Sequence, residues 1–236
     1  MQFIPIKTRV LHPPQDDIFA VLAESLKDLV EGDIVVISSK IVAIGEGRCV
    51  AKTEENKQSL ALTFADLVIP REYWGLPVTV IHNAFLGAAG IDESNGNGYL
   101  VLLPEDPFTS ASGIHAFLSV HFGLDKLGVI ITDSQSLPFR YGATGVAIGW
   151  WGIEPLQDHR GRLDLFGRAI RAERSNLVDG LAAGATVVAG EVDECIPLVV
   201  IRAVPNVSYT SRNTKASLFA PFSDDKFRVL YERFLP

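Results

Sequence analysis

The segment LGVIITDS, residues 127–134, joins an uninterrupted apolar run to a carboxylate. A run of this length, rich in β-branched residues, predicts a strand that is buried on both faces of a sheet. Asp133 follows the run directly, and the carboxyl ends of buried parallel strands are where α/β proteins bind ligands. The local pattern leaves two interpretations open: Asp133 belongs to a site, or it caps a following helix.

Two other segments place acidic and amide side chains beside turns or predicted strands. They are GIDESN at 90–95 and GEVDE at 190–194, the second of which precedes the apolar run at 196–201. Carboxylates that are distant in sequence but close to strand ends are typical of a hard-cation site whose parts meet on folding. The first segment alone is equally compatible with a polar turn, because Gly and Asn favour turns. For the second segment alone, a solvated charged turn is the favoured interpretation.

Composition excludes several classes of protein. The 236 residues carry a formal net charge of −7, which disfavours a nucleic-acid-binding surface but allows an anionic substrate held through cations. A content of 47% hydrophobic and 21% charged residues is typical of a folded globular protein. Two distant cysteines predict neither a disulfide framework nor a zinc site. Because no signal-peptide or membrane-span pattern occurs, we expect a cytoplasmic protein.

Hydrophobic periodicity predicts helices interleaved with strands along the chain. This order predicts an α+β or mixed α/β fold with a large, mostly buried mixed sheet. The predicted strands are 34–37, 41–44, 78–81, 99–103, 127–132, 145–150 and 197–203. The predicted helices are 16–30, 53–67, 106–122, 164–185 and 224–234, and residues 70–77 are predicted to form a loop.

The motifs of several common enzyme classes are missing from the sequence. It contains no GxxxxGK[ST] phosphate loop, no GxGxxG after a strand, no HExxH and no GxSxG. A Rossmann dehydrogenase, a zinc hydrolase and a serine hydrolase are therefore disfavoured. Arg140 remains a candidate for binding a phosphate or carboxylate, and Trp150-Trp151 for stacking on a planar ring. An ordinary surface arginine explains Arg140 equally well, and a position in the core or an interface is the more frequent role of tryptophans in an apolar run.

Taken in order, several segments resemble the coenzyme F420-0:L-glutamate ligases, also called F420 γ-glutamyl ligases. The resemblance spans about residues 10–202, and its specificity comes from the combination of segments. These are GDIVVISSK (32–40), GIDESN (90–95), LLPEDP (102–107), VIITDS (129–134), FRYG (139–142), VAIG (146–149) and DLFGR (164–168).

The resemblance implies a ligase-like catalytic domain over residues 1–236, with two sub-domains as an alternative, and a homodimer whose active site lies in a cleft. It implies an enzyme that joins L-glutamate to a carboxylate of the deazaflavin precursor while cleaving GTP to GDP and phosphate. Mg²⁺ or Mn²⁺ and a potassium ion would assist. A carboxylate is a poor acyl donor, so it would first be phosphorylated to an acyl phosphate, and metals would spread the phosphoryl charge.

The resemblance also assigns roles to residues. The catalytic residues would be Asp92, Asp133 and Arg140. The metal ligands would be Asp92, Asp133, Ser134 and Glu191. The nucleotide would contact segments 8–11 and 189–196, with the individual residues Val10, Leu11, Ser39, Lys40, Asn95, Gly190, Val192 and Asp193.

Three positions depart from the family pattern. Ile44 stands where the family often has a lysine that contacts the nucleotide. The choice between GTP and ATP as the nucleotide therefore stays open. Ser136-Leu137 replaces Gly-Arg, and Trp150-Trp151 replaces small residues, so the resemblance predicts an altered acceptor pocket. Two alternatives follow: the same chemistry on another acid, such as a folate, or a nucleotide-binding relative that has lost catalysis.

Overall fold

The computed structural model of the protein describes residues 1–53, 56–70 and 75–235. The strands are β1 (Gln2–Ile6), β2 (Asp33–Ser38), β3 (Cys49–Ala51), β4 (Leu67–Ile69), β5 (Val78–Ile81), β6 (Ala84–Gly87), β7 (Tyr99–Val101), β8 (Leu127–Ser136), β9 (Ala143–Trp151), β10 (Leu156–Asp158), β11 (Arg174–Asn176) and β12 (Leu198–Arg202). The helices are α1 (Ile18–Ser25), α2 (Ser39–Gly45), α3 (Asn56–Phe64), α4 (Pro107–Phe122), α5 (Leu177–Ala189), α6 (Lys215–Leu218) and α7 (Arg228–Tyr231). Within these residues, no helix combines the length and apolarity that crossing a bilayer requires.

A five-stranded mixed sheet forms the centre of the fold, with the strand order β1-β12-β2-β8-β9. β2 and β8 run parallel, whereas the other neighbouring strands are antiparallel. A parallel pair needs a long connection, and here the chain from β2 to β8 contains α2, α3, α4 and two small sheets, β3-β7 and β4-β5-β6. The mixed sheet among helices confirms the predicted fold class.

Both faces of this sheet are buried, because successive side chains of a strand point to opposite faces. In β2, Val35 and Ile37 join one apolar cluster, while Ile34 and Val36 join another. The first cluster includes residues of α1, α2 and α4, and the second includes residues of α5. Burial on both sides explains why the central strands are continuous apolar runs in the sequence.

Helix α4 begins where the sequence predicts. Asp106 is its N-cap and accepts a hydrogen bond of 3.0 Å from the backbone N–H of Phe108, and Pro107 occupies the first turn. Gly123, in the left-handed conformation with φ of 65°, ends the helix. The helix packs against β8 and β9 and so fixes the position of the strand that carries Asp133.

The helix predicted over 164–185 is wrong in its first half. Asp164 accepts hydrogen bonds of 2.8 Å from the backbone N–H groups of Phe166 and Arg168, which close a turn instead of a helix. The antiparallel pair β10-β11 flanks this turn. Helix α5 starts only after Asn176, whose side chain accepts from the backbone N–H of Asp179.

The strand predicted at 41–44 is also wrong, because these residues belong to helix α2. All four are buried, and a short apolar run has no periodicity that separates a strand from a buried helix. The helix predicted at 224–234 is broken into α7 and short 3₁₀ turns on both sides. The helix predicted at 16–30 is confirmed over α1 alone.

Two predictions extend beyond the described part of the chain. The helix predicted over 53–67 is confirmed for α3, while Glu54 and Glu55 lie outside the described residues. The loop predicted over 70–77 includes residues 71–74, which also lie outside them.

Candidate active-site cavity

A cavity of about 380 Å³ is lined by β2, β8 and β12, by helices α2 and α5, and by loops between them. All residues predicted to bind metal or nucleotide line this one cavity: Val10, Leu11, Ser39, Lys40, Asp92, Asn95, Asp133, Ser134, Gly190, Glu191, Val192 and Asp193. The fold therefore brings together segments that are far apart in the sequence. Their individual roles stay predictions.

Asp92 is held by its own turn and by Lys40. Backbone hydrogen bonds of 2.9 and 2.8 Å join Asp92 to Val101 in an isolated antiparallel bridge. The backbone N–H and the hydroxyl of Ser94 each donate to Asp92 Oδ1 at 2.8 Å. Lys40 Nζ lies 2.6 Å from Asp92 Oδ2 and also donates to the Ser94 carbonyl at 3.1 Å. The turn needs Gly96, where a Cβ would lie 2.2 Å from the Tyr99 carbonyl oxygen.

These contacts keep Asp92 ionised. Burial alone raises the pKa of a carboxyl group, but the hydrogen bond and charge of Lys40 and the hydrogen bonds from Ser94 outweigh it. The pKa of Asp92 is therefore lowered from its ordinary value. The result is a fixed anion facing a fixed cation at one side of the cavity.

Asp133 lies within β8 and not after it, because β8 continues to Ser136 in register with β9. Its Oδ1 accepts a hydrogen bond of 3.3 Å from the hydroxyl of Ser39, a buried residue at the start of α2. Burial raises the pKa of Asp133 to about 6, and the negative charge of Asp92 adds to this rise. The hydrogen bonds from Ser39 and Ser134, and the charge of Lys40, oppose it.

Glu191 stands on the loop that follows α5. Gly190 ends the helix with φ of 79°, and its N–H donates to the Thr186 carbonyl at 3.1 Å. Burial is the main cause that raises the pKa of Glu191, with Asp92 and Glu194 contributing in the same direction. Two carboxylates of the cavity, on Asp133 and Glu191, thus carry an unfavourable charge that a bound cation would compensate.

Hydrogen bonds join the loops around the cavity to each other. Asn95 Nδ2 donates to the carbonyl of Val192 at 2.8 Å, which connects the Asp92 loop to the Glu191 loop. The N–H of Thr8 donates to the Cys195 carbonyl at 3.1 Å, which connects the N-terminal segment to the same loop. The nucleotide segments predicted at 8–11 and 189–196 are therefore neighbours in space.

The donor chemistry of this cavity fits a hard divalent cation, because Asp92, Asp133, Ser134 and Glu191 all offer oxygen ligands. Across residues 1–53, 56–70 and 75–235, no three His, Cys, Asp or Glu side chains are clustered as a ready-made metal centre. Mg²⁺ commonly binds one or two carboxylates together with substrate phosphates and water instead of an all-protein cage. The arrangement suits ions that arrive with a nucleotide.

Arg140 does not line the cavity. It lies at the tip of the β8-β9 hairpin between Phe139 and Tyr141, whose side chains are fully exposed. Its predicted catalytic role stays a prediction, and within this chain the fold does not bring it to Asp92 or Asp133.

The Trp150-Trp151 pair does not line the cavity either. Trp150 is 1% exposed, packs edge-on against Phe108 and Phe219, and donates its indole N–H to Thr214 Oγ1 at 2.9 Å. Of the two interpretations of this pair, the core position is confirmed for Trp150, whose ring packs against Phe108 and Phe219 and is not available to stack on a substrate.

Sequence reasoning missed two contributors to the cavity. Ser94 fixes both oxygens of Asp92, and the Asp-x-Ser spacing that favours such a turn was visible in the sequence. The pairing of Lys40 with Asp92 joins residues 52 positions apart and had no sequence signal. Ile44, the position that departs from the family pattern, lines the cavity as a buried apolar side chain.

Sequence comparisons with known proteins identify similar chains. Residues 68–203 match the family described as F420-0:Gamma-glutamyl ligase. The chain is 37% identical over 229 residues to the "Coenzyme F420:L-glutamate ligase" of Methanothermobacter thermautotrophicus, covering 89% of this chain and 90% of the relative. It is 36% identical over 220 residues to the protein of the same name from Methanocaldococcus jannaschii, covering 92% and 87%. For the one from Methanopyrus kandleri, identity is 37% over 217 residues and coverage 84% of each chain.

Proposed function

Because the chain belongs to the F420-0:γ-glutamyl ligase family, we propose that it is an acid–amino-acid ligase that joins L-glutamate to coenzyme F420-0. The observation that carries the proposal is the convergence of Lys40, Asp92, Asp133 and Glu191 on one cavity. These residues come from four separate segments, and three of them carry carboxylates whose mutual repulsion opposes folding.

We propose a two-step reaction in this cavity. A carboxylate oxygen of the acceptor attacks the γ-phosphorus of GTP, which forms an acyl phosphate and releases GDP. The amine of L-glutamate then attacks the acyl carbon, inorganic phosphate leaves, and the amine loses a proton as the amide forms. Lys40 would neutralise charge on the transferring phosphoryl group, and its pairing with Asp92 holds its ammonium in place.

Asp92, Asp133, Ser134 and Glu191 are the residues that would hold Mg²⁺ or Mn²⁺. When bound, these ions supply neutralisation of the phosphate oxygens and in-line orientation of the nucleotide. The neighbouring segments 8–11 and 189–196 would contact the nucleotide, together with Ser39 and Asn95. Potassium is proposed as an additional ion of the reaction. The apolar Ile44 at the cavity wall is the reason to compare GTP with ATP directly.

The test is a ligation assay read by mass spectrometry. Purified protein is incubated with L-glutamate, Mn²⁺, either GTP or ATP, and either F420-0 or a reduced folate. A mass gain of one glutamyl residue on F420-0, together with GDP and phosphate, supports the proposal. A gain on the folate alone shows the same chemistry with a different acceptor. The absence of both ligation and nucleotide cleavage with every acceptor contradicts the proposal and favours a relative that only binds nucleotide.

We also propose that the active form is a homodimer. Two loop tips expose large apolar side chains: Leu137, Phe139 and Tyr141 on the β8-β9 hairpin, and Leu163, Leu165 and Phe166 between β10 and β11. Exposed clusters of this kind commonly mark protein contacts. A second copy is the partner that the family resemblance implies. Arg140 lies within the first cluster, so it could reach a substrate through such an assembly.

A further inference from the structure

A second cavity of about 210 Å³ adjoins the first. The two cavities share Leu102 as a lining residue, and they take neighbouring residues from the same chain segment. Gly90 and Asp92 line the first cavity, whereas Ala89 and Ile91 line the second. The two spaces are therefore separated by a single layer of chain, and a molecule in the second cavity is walled off from Asp133.

This shared layer is held in an uncommon backbone conformation. Ala88, Ala89 and Gly90 follow one another with φ of 49°, 53° and 69°. Left-handed alanines cost free energy, and such residues persist where the surroundings fix them, often beside binding sites. The buried hydroxyl of Thr79 accepts from the N–H of Ala89 at 2.7 Å, and the N–H of Ala88 donates to the Pro77 carbonyl. These hydrogen bonds hold the segment that separates the two cavities in one defined conformation.

The second cavity presents an oriented cation. Arg48 Nε donates to the Leu103 carbonyl at 3.2 Å, and the guanidinium carbon lies 5.3 Å from the ring centroid of Phe64. Among the described residues, this is the only hydrogen bond of the guanidinium group, so its terminal nitrogens are left to bind a carboxylate as a fork.

Two carboxylates and apolar walls complete the lining. Asp66 and Glu105 are exposed at the cavity, where they would attract an ammonium group. The apolar part of the lining includes Ile81 and Leu103. His82 binds the Pro104 carbonyl through Nε2, and burial lowers its pKa, so it adds a polar contact without a charge at neutral pH.

We propose that this second cavity is a binding site for a small α-amino acid with an apolar side chain. Its carboxylate pairs with Arg48, its ammonium group pairs with Asp66 and Glu105, and its side chain packs on Ile81 and Leu103. The volume suits a ligand of this size and is too small for a nucleotide. Because the wall separates this ligand from Asp133, it is not the amine that is joined to the acceptor.

Calorimetric titration of the full chain with L-leucine, without nucleotide, tests the proposal. Saturable one-site binding is expected, and 4-methylpentanoate and isopentylamine, which each lack one charged group, should bind at least tenfold more weakly. The double variant Asp66→Asn/Glu105→Gln and the single variant Arg48→Lys should each weaken L-leucine binding at least tenfold. Glu173→Gln is the matched control. Glu173 is an exposed carboxylate directly before β11 and does not line the second cavity, so this variant should leave binding unchanged.

The proposal is overturned if L-leucine does not bind up to about 10 mM. It is also overturned if binding persists unchanged in Asp66→Asn/Glu105→Gln, whose side chains are exposed. The same holds if Asp133→Asn abolishes binding, which would place the ligand in the first cavity. The titration involves no turnover, so an inactive ligase that still binds L-leucine would contradict only the proposed function.

Discussion

At the scale of single residues, the cavity contains charges that oppose each other's ionisation. The contacts of Lys40 and Ser94 outweigh burial and lower the pKa of Asp92, whereas burial outweighs the charge of Lys40 and raises the pKa values of Asp133 and Glu191. A binding site commonly carries such unfavourable charge because the ligand removes it. Two consequences can be measured with single substitutions.

Asp133→Asn should abolish ligation while making the metal-free protein more stable at neutral pH. The folded pKa of about 6 exceeds the unfolded value of about 3.9, so the folded state binds more protons between these pH values. The wild-type protein therefore loses stability as pH rises from about 4 to 6, whereas the asparagine variant does not. The difference at pH 7.5 should be about 1–3 kcal/mol in favour of the variant.

Denaturant unfolding of both proteins in EDTA at pH 4 and pH 7.5 measures this difference. It should be much smaller at pH 4, where Asp133 is protonated in the folded state and about half protonated in the unfolded state. An active Asp133→Asn variant would contradict the role of Asp133 as a metal ligand, and an unchanged difference between the two pH values would contradict the raised pKa.

Lys40→Met should weaken nucleotide binding about ten- to hundredfold, because one charge-assisted contact is lost. Lys52→Met is the matched control: Lys52 also pairs with a carboxylate of the same loop, Glu93 at 3.1 Å, but it does not line the cavity. Titration of a fluorescent GTP analogue in Mn²⁺ gives both affinities. If the two substitutions weaken nucleotide binding equally, Lys40 acts only through the net charge of the protein and not through a direct contact.

At the scale of elements, the position of the cavity depends on how closely helices approach β9. Glycines on β9 allow this approach, since a Cβ at Gly149 would lie 2.5 Å from the Pro107 carbonyl oxygen of α4. A Cβ at Gly145 would lie 2.5 Å from the Ala182 carbonyl oxygen of α5. β9 is paired with β8, so a displaced helix would disturb the strand that carries Asp133.

Gly149→Ala should destabilise the protein by about 1–3 kcal/mol, because the added methyl group forces α4 away from the sheet. Gly113→Ala is the control within the same helix: a Cβ there meets nothing within 4 Å, and alanine favours the helix by about 0.5–1 kcal/mol. Thermal unfolding should therefore shift in opposite directions for the two variants. A stable Gly149→Ala variant would show that the contact between α4 and β9 can relax.

At the scale of the whole molecule, the two exposed apolar tips are separate from the cavity lining. We therefore expect that substitutions in the tips change dimer formation, whereas substitutions in the cavity lining change ligase activity. The double variant Phe139→Ser/Tyr141→Ser should convert a dimer into a monomer in sedimentation velocity, because these fully exposed rings would lose their buried partner surface.

Val120→Ser is the control for this experiment, since Val120 is an equally apolar exposed side chain on α4 and should leave the dimer intact. A wild-type protein that sediments as a monomer at micromolar concentration would contradict the proposed homodimer. A dimer that survives in Phe139→Ser/Tyr141→Ser would place the interface elsewhere.

The sequence by itself determined the central strands, the start of α4 and the residues of the cavity. Double burial requires continuous apolar runs, an Asp-Pro pair is a local helix start, and the acidic segments occur in a combination specific enough to reveal the family. These signals are local or are read along the chain in order. They do not depend on which parts of the chain meet.

Only the tertiary structure decided the rest. Residues 41–44 form a helix and 164–176 a turn with a hairpin, because packing and side-chain hydrogen bonds outweigh a short or irregular apolar pattern. Long-range contacts placed Lys40 on Asp92, put Trp150 in the core and left Arg140 on an exposed tip. The wall that divides two cavities likewise arises from the folded path of residues 88–92, which no local pattern encodes.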